Sequence, residues 1–234
     1  MLDALLFGED LQTLSCCLTL REHSPNGLQR RCDLFLAVPG DSPLLLLIDG
    51  STSTGAAVPT NPRGKLFETL AASWSILVRL PPTELLTRFG EELRRSNVNS
   101  SKRMFASAVC LRRCANSGDW LLAEAGDSKA FLYDGAVGKV VLPGGLPQPD
   151  HRTEGLLGTN GQNVRTSIVH PEVTQRLLFA TDGAFHVLLR TGAATADGTL
   201  SGDVLTAFSD NNYMAEDDST LVLFDPHIKK RRFP

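Results

Sequence analysis

The stretch Leu177-Leu178-Phe179-Ala180-Thr181-Asp182-Gly183-Ala184-Phe185 is an apolar run that ends on Asp-Gly and passes into a helical pattern through Phe185, Leu188 and Leu189. A short apolar run bounded by a turn signal reads as a buried strand, which leaves the Asp182 carboxylate at its lip. The same device occurs at Leu44-Leu45-Leu46-Leu47-Ile48-Asp49-Gly50, where the glycine lets another backbone approach closely. One such strand end is a turn. Two suggest a site at the strand ends, suited to holding a metal ion.

Working outward, residues 11–22 place Leu14, Cys16, Leu18 and Leu20 on one face of a half-buried strand. Ser24-Pro25-Asn26-Gly27 turns the chain into a second apolar run, Cys32 to Val38. Pro39-Gly40-Asp41-Ser42-Pro43 turns it again into the strand that ends at Asp49. Three strands with short connections predict an antiparallel meander. Asn61 and Pro62 open a helix that carries Leu66, Phe67, Leu70, Trp74 and Leu77 on one face until Pro81-Pro82 break it. A second helix carries Leu85, Leu86, Phe89 and Leu93, and residues 97–101 read as a loop. Strand patterns return at 105–114, 120–125, 129–134 and 139–142. Residues 143–161, rich in Gly and Pro, read as surface chain. Strands at 165–170 and 176–181, helices from Gly183 and from about Asp203, and a strand at 219–224 complete the pattern. Runs of strands segregated from runs of helices predict an α+β fold of stacked sheets with helices outside them.

The 234 residues, 42% hydrophobic and 21% charged, suffice for one large domain, read as 1–234 with a basic tail at 225–234. A net charge of −3 gives no reason to expect nucleic acid, and Lys229-Lys230-Arg231-Arg232 reads as a solvated tail. No apolar span has the roughly 18–20 residues a membrane helix needs, and the acidic N-terminus does not resemble a secretion signal. A cytoplasmic chain without membrane partners is expected. Five cysteines, Cys16 and Cys17 adjacent, form neither a disulfide framework nor a zinc pattern. Cys110 and Cys114 read as buried or free thiols.

Three further acidic signals join Asp49 and Asp182: Asp33 at a strand start, Gly126-Asp127-Ser128 between two strands, and Glu216-Asp217-Asp218 before the last strand. Each alone is ordinary turn chemistry. Together, at strand ends, they read as convergent oxygen ligands. Hard divalent ions such as Mg²⁺ and Mn²⁺ take carboxylates and water, and two of them about 4 Å apart can activate one water against a phosphate without any protein nucleophile.

In order along the chain, Asp33 after a basic stretch, Ile48-Asp49-Gly50, Ala125-Gly126-Asp127-Ser128-Lys129-Ala130, Asp150-His151, Ala180-Thr181-Asp182-Gly183 and Asp217-Asp218-Ser219-Thr220 resemble the motifs of the metal-dependent type 2C (PPM) protein phosphatases. The resemblance runs from about Ser15 to Phe224. It implies a four-layer α/β/β/α sandwich, two antiparallel sheets flanked by helix pairs, in a compact catalytic domain of bacterial style. It also implies an enzyme that hydrolyses phosphoserine and phosphothreonine with a water bridging two divalent ions. By the same resemblance, Asp49 bridges both ions, the Gly50 carbonyl binds one, and Asp182 and Asp217 are direct ligands. Asp33 acts through bound water, and Asp127 helps hold a third ion, so two or three Mn²⁺ or Mg²⁺ are implied. The implied partner is a phosphorylated protein, a serine/threonine kinase or its targets, and a monomer is expected.

The chain departs from the family pattern in three places. Asp49-Gly50-Ser51-Thr52-Ser53 stands where Asp-Gly-His-Gly-Gly is common, so the histidine proposed as general acid in some members is absent. Cys32 precedes Asp33 where Glu or Gln is usual. Leu28 holds the place of the phosphate-binding arginine, a role left to Arg30 or Arg31. These departures frame the alternative, a pseudophosphatase that binds a partner without turnover. The short 127–182 segment implies a reduced flap and a more open site. Ser51 to Thr54 lacks the Gly-Lys-Ser/Thr ending of a nucleotide-binding loop, and His23, His170, His186 and His227 have no ligand spacing.

Overall fold

The computed structural model describes residues 5–6, 18–23, 32–38, 40–52, 61–98, 100–101, 103–134, 139–141, 155–194, 203–211, 214–215 and 218–226. Its strands are β1 (Leu5–Leu6), β2 (Leu18–His23), β3 (Leu34–Val38), β4 (Leu44–Thr52), β5 (Met104–Arg113), β6 (Trp120–Ala125), β7 (Lys129–Asp134), β8 (Lys139–Val141), β9 (Val164–Val169), β10 (Gln175–Ala180) and β11 (Ser219–Phe224). The helices are α1 (Pro62–Ala72), α2 (Trp74–Leu77), α3 (Pro82–Val98), α4 (Asp182–Arg190) and α5 (Val204–Asn211).

The leucine run of β4 shows how the layers arise. Successive strand side chains point to opposite faces. Leu44, Leu46 and Ile48 join Leu34 and Leu36 of β3 in a core closed by Leu66, Leu85, Leu86, Phe89 and Leu93 of the helices. Leu45 and Leu47, with Phe35 and Ala37, enter a second core shared with Leu177, Phe179, Val222 and Phe224. On the far side Leu178, Ala180 and Leu221 pack under Phe185, Leu188, Val204 and Phe208. Three apolar interfaces separate four layers: helices α1–α3, a six-stranded sheet, a five-stranded sheet, and helices α4 and α5. Both faces of each sheet are covered, which is why these antiparallel strands read as continuous apolar runs rather than alternating ones.

The six-stranded sheet has the order β1-β3-β4-β5-β6-β9 and the five-stranded sheet β2-β11-β10-β7-β8. All pairings are antiparallel except the two-residue β1, which lies parallel to β3. The expected meander of the first three strands is therefore corrected. β3 and β4 do pair, with Leu34 opposite Ile48, but β2 belongs to the other sheet and pairs with β11. Its alternation carried nothing about the partner, which lies some 200 positions away.

The first helical layer also differs from expectation. Asn61 caps α1, its Oδ1 accepting from the Gly64 amide at 2.9 Å, and Pro62 stands at the first position. The helix stops at Ala72, and α2 restarts at Trp74. Phe67 and Trp74 pack only half-buried against the first core. α3 extends through Asn97, which the sequence placed in a loop. That side chain is buried, donating to Met104 O at 2.6 Å and accepting from Met104 N at 2.9 Å, so it ties the end of α3 to the start of β5. Within the expected surface segment, Leu157 is buried instead, and its backbone pairs in both directions with Ala106. Cys32, Cys110 and Cys114 are thiols outside any disulfide, and burial pushes the Cys110 thiol up to about 12, so it serves as a small apolar core residue.

Candidate metal centre

The antiparallel registers bring the acidic strand ends to one end of the sandwich. Leu34 faces Ile48, so Asp33, one residue earlier, lies beside Asp49, one residue later. In the other sheet Ala180 faces Leu221. Thr181 N donates to Thr220 O at 3.1 Å, which sets Asp182 at the start of α4 beside Asp218 at the start of β11. β4 continues three residues past Asp49 to Thr52, so Asp49 is held within a strand and not on a loose turn.

Hydroxyls and amides stitch the two sheets together at this end. Asp33 is buried, and its Oδ2 accepts from Thr220 Oγ1 at 2.7 Å and from Thr181 Oγ1 at 3.5 Å. Thr181 Oγ1 in turn accepts from Thr220 N at 2.9 Å. Asp218 Oδ2 accepts from the Cys32 amide at 2.6 Å. Asp33 and Cys32 belong to the first sheet, Thr181, Asp218 and Thr220 to the second. This lattice fixes the spacing of the sheets where the carboxylates meet.

Two glycines are required by close approach. A Cβ on Gly183 would overlap the Asp218 carbonyl oxygen, so only glycine lets α4 begin against β11. Gly126 has φ +73°, and a Cβ there would stand 2.6 Å from Ser107 Cβ. Ser107 lies opposite Asp49 across β4 and β5. Its hydroxyl is hydrogen-bonded to Ser128 Oγ, and it also accepts from Ser128 N at 3.3 Å. The buried Lys129 donates from Nζ to Gly126 O at 3.2 Å, and burial holds its ammonium below the usual lysine range. The Gly126-Asp127-Ser128 turn is thereby pinned beside Asp49 through Ser107.

The electrostatics follow from this crowding. Asp33 is pushed up to about 7 from 3.8, first by burial. Asp218 and Asp182 raise it further by like charge, while hydrogen bonds with Thr220 and with Asp49 pull it back. Asp33 Oδ1 is buried without a hydrogen bond from any described residue. Among the described residues, no three His, Cys, Asp or Glu side chains stand close enough together to hold a metal ion. The carboxylates sense one another without closing a cage. All are hard oxygen donors, a set that fits a hard divalent cation.

Of the residues singled out from sequence, Asp33, Asp49, Gly50 and Asp182 come together, and the Asp127 turn is anchored next to them. Asp217, Arg30, Arg31, Asp150 and His151 lie outside the described residues. Sequence reasoning passed over Asp218, Thr181, Thr220 and Ser107 as members of the site. Their signal was present in the Ala-Thr-Asp-Gly and Asp-Asp-Ser-Thr motifs, where each threonine adjoins a strand end.

No protein-family model matches the sequence, and no curated protein matches it. Solved structures do. The chain is similar to a bacterial serine phosphatase at TM-score 0.65 and 12% identity, over 91% of this chain and 98% of that one. It is similar to the S. agalactiae serine/threonine phosphatase at TM-score 0.63 and 13% identity, over 89% and 98%. It is also similar to RsbX, solved in complex with magnesium, at TM-score 0.61 and 16% identity, over 89% and 94%. At such identities the likeness is one of fold. The chain has the α+β fold of the type 2C, or PPM, serine/threonine phosphatases.

Proposed function

We propose that this protein is a metal-dependent phosphatase acting on phosphoserine and phosphothreonine in proteins, using two or three Mn²⁺ or Mg²⁺ ions. The observation that supports it is the meeting of Asp33, Asp49, Asp182 and Asp218 at one end of the sandwich, where burial first, and like charge after it, raise Asp33. Solved structures it is similar to include serine and serine/threonine phosphatases, and another, RsbX, was solved with magnesium. When bound, divalent ions would supply the positive charge that offsets the carboxylates and makes in-line attack of water on phosphorus feasible.

In this reading Asp49, Asp182, Asp217 and the Gly50 carbonyl would be the direct ligands, and Asp33 would act through ordered water. Thr181 and Thr220 orient Asp33 by hydrogen bonding to one of its oxygens and leave the other for the site. Ser107 and Lys129 hold the turn that carries Asp127, the residue assigned to a third ion. Arg30 and Arg31 are the proposed cations for the substrate phosphate. Among the described residues no helix is long and apolar enough to cross a membrane, and a cytoplasmic regulator opposing a serine/threonine kinase is the proposed setting.

The test is hydrolysis of a phosphothreonine peptide with EDTA, Mg²⁺ or Mn²⁺, beside Asp182→Asn. The expected result is turnover that needs the metal and falls at least a hundredfold in the variant, the scale on which single catalytic groups act. Manganese binding with no turnover would instead establish the pseudophosphatase reading suggested by Ser51 and Leu28.

A further inference from the structure

A cavity of about 350 Å³ opens where α3 ends and β5 begins. Arg94, Arg103, Thr159 and Asn160 line it, with Val98 and Phe105 as apolar flanks. Among the described residues, none that lines it is acidic. Arg95, next along α3, is matched by Glu91 and Glu92. Arg94 and Arg103 have no ion-pair partner among the described residues. Asn97 also lines the cavity, and its bonds to both backbone groups of Met104 tie the end of α3 to the start of β5 there.

The register of β5 locates this cavity relative to the metal centre. Ser107 lies opposite Asp49, and Phe105 opposite Ser51. They stand two positions apart on the strand, about 7 Å along the chain at the usual rise. The segment 155–160 joins the two places directly. Leu156 lies against the Gly126 turn, Leu157 pairs with Ala106, and Thr159 and Asn160 form the cavity wall. A guanidinium pair above an apolar flank suits a side chain with a short apolar stem and a multiply charged anionic head, because the planar fork matches carboxylate and phosphate oxygens.

We infer that this cavity is a substrate subsite for an anionic side chain, a second phosphorylated residue or a carboxylate, flanking the phosphoresidue that is hydrolysed. This rests on the phosphatase reading above. At roughly 3.3 Å per extended residue, the flanking residue is about two to four positions from the phosphoresidue. The subsite makes the enzyme selective for acidic or multiply phosphorylated segments.

Binding is measured by fluorescence anisotropy in EDTA, where labelled phosphothreonine peptides persist. The peptides carry phosphoserine, glutamate or alanine three positions away. The full-length protein is expected to bind the phosphoserine and glutamate peptides about fivefold or more tighter than the alanine peptide. The double variant Arg94→Ala/Arg103→Ala is expected to lose that difference. With Mn²⁺, KM for the acidic peptides rises in the variant, while kcat and the turnover of p-nitrophenyl phosphate, too small to reach the cavity, stay as they were. Equal binding of all three peptides by the unmodified protein, or a preference that survives in the double variant, overturns the subsite. Failure of every form to hydrolyse p-nitrophenyl phosphate overturns the phosphatase reading instead, and the anisotropy still decides the subsite.

Discussion

Asp33 shows what a buried carboxylate does to the stability of the metal-free protein. Its folded value of about 7 lies above the ordinary 3.8, so the folded chain holds the proton more tightly than the unfolded one. The stabilisation this gives is complete below about pH 4 and is lost as pH rises to about 7. The lost part is on the order of a few kcal/mol. Asp33→Asn keeps an oxygen for Thr220 and cannot ionise. In EDTA, the melting temperature of the variant minus that of the parent is expected to increase between pH 4 and pH 7. Parallel curves would show that burial and its acidic neighbours do not raise Asp33. Activity is expected to fall in the same variant, because the charge that costs stability is the charge proposed to serve the ions.

At the scale of elements, the joint between α3 and β5 depends on Asn97. Its amide satisfies one backbone donor and one acceptor inside a buried corner, so truncation leaves both groups without partners. Asn97→Ala is expected to cost about 2–3 kcal/mol, measurable as a lower midpoint in urea denaturation with an unchanged slope. The same residue shows why part of the chain was not legible. Periodicity had already ended at Leu93, and asparagine before a polar run is an ordinary loop signal. Its partner is the backbone of Met104, which no side-chain pattern records. Leu157 was hidden in the same way, one of a leucine pair in a Gly-rich stretch, with its backbone paired to Ala106. In contrast, β4, β10 and β11 were legible because burial on both faces writes an uninterrupted apolar run, and α1 because Asn61-Pro62 is a local cap.

For the whole molecule, the segregation of strand runs from helix runs was enough to read an α+β fold of stacked sheets, and the ordered acidic motifs carried the resemblance that implied its four layers. The same motifs singled out Asp33, Asp49 and Asp182. What the sequence could not convey was which strands pair across 200 positions, and therefore that β2 belongs with β11. It also could not show that Thr220 and Thr181 reach across the sheets to Asp33. Those bonds join residues 148 and 187 positions apart, and they exist only once both sheets are in place.

The two tryptophans fall in different layers of this sandwich. Trp74 is half-buried in the helical layer. Trp120 is sealed between the sheets, its ring 5.1 Å from that of Phe224 in an edge-to-face contact. The protein therefore carries two optical reporters with separate jurisdictions. Iodide should quench the red-shifted emission of Trp74 in the folded state and leave the bluer emission of Trp120 untouched until the sheets part. A Trp74→Phe variant whose remaining fluorescence resists iodide would make the separation of the two sheets visible by itself, independently of the helices that cover them.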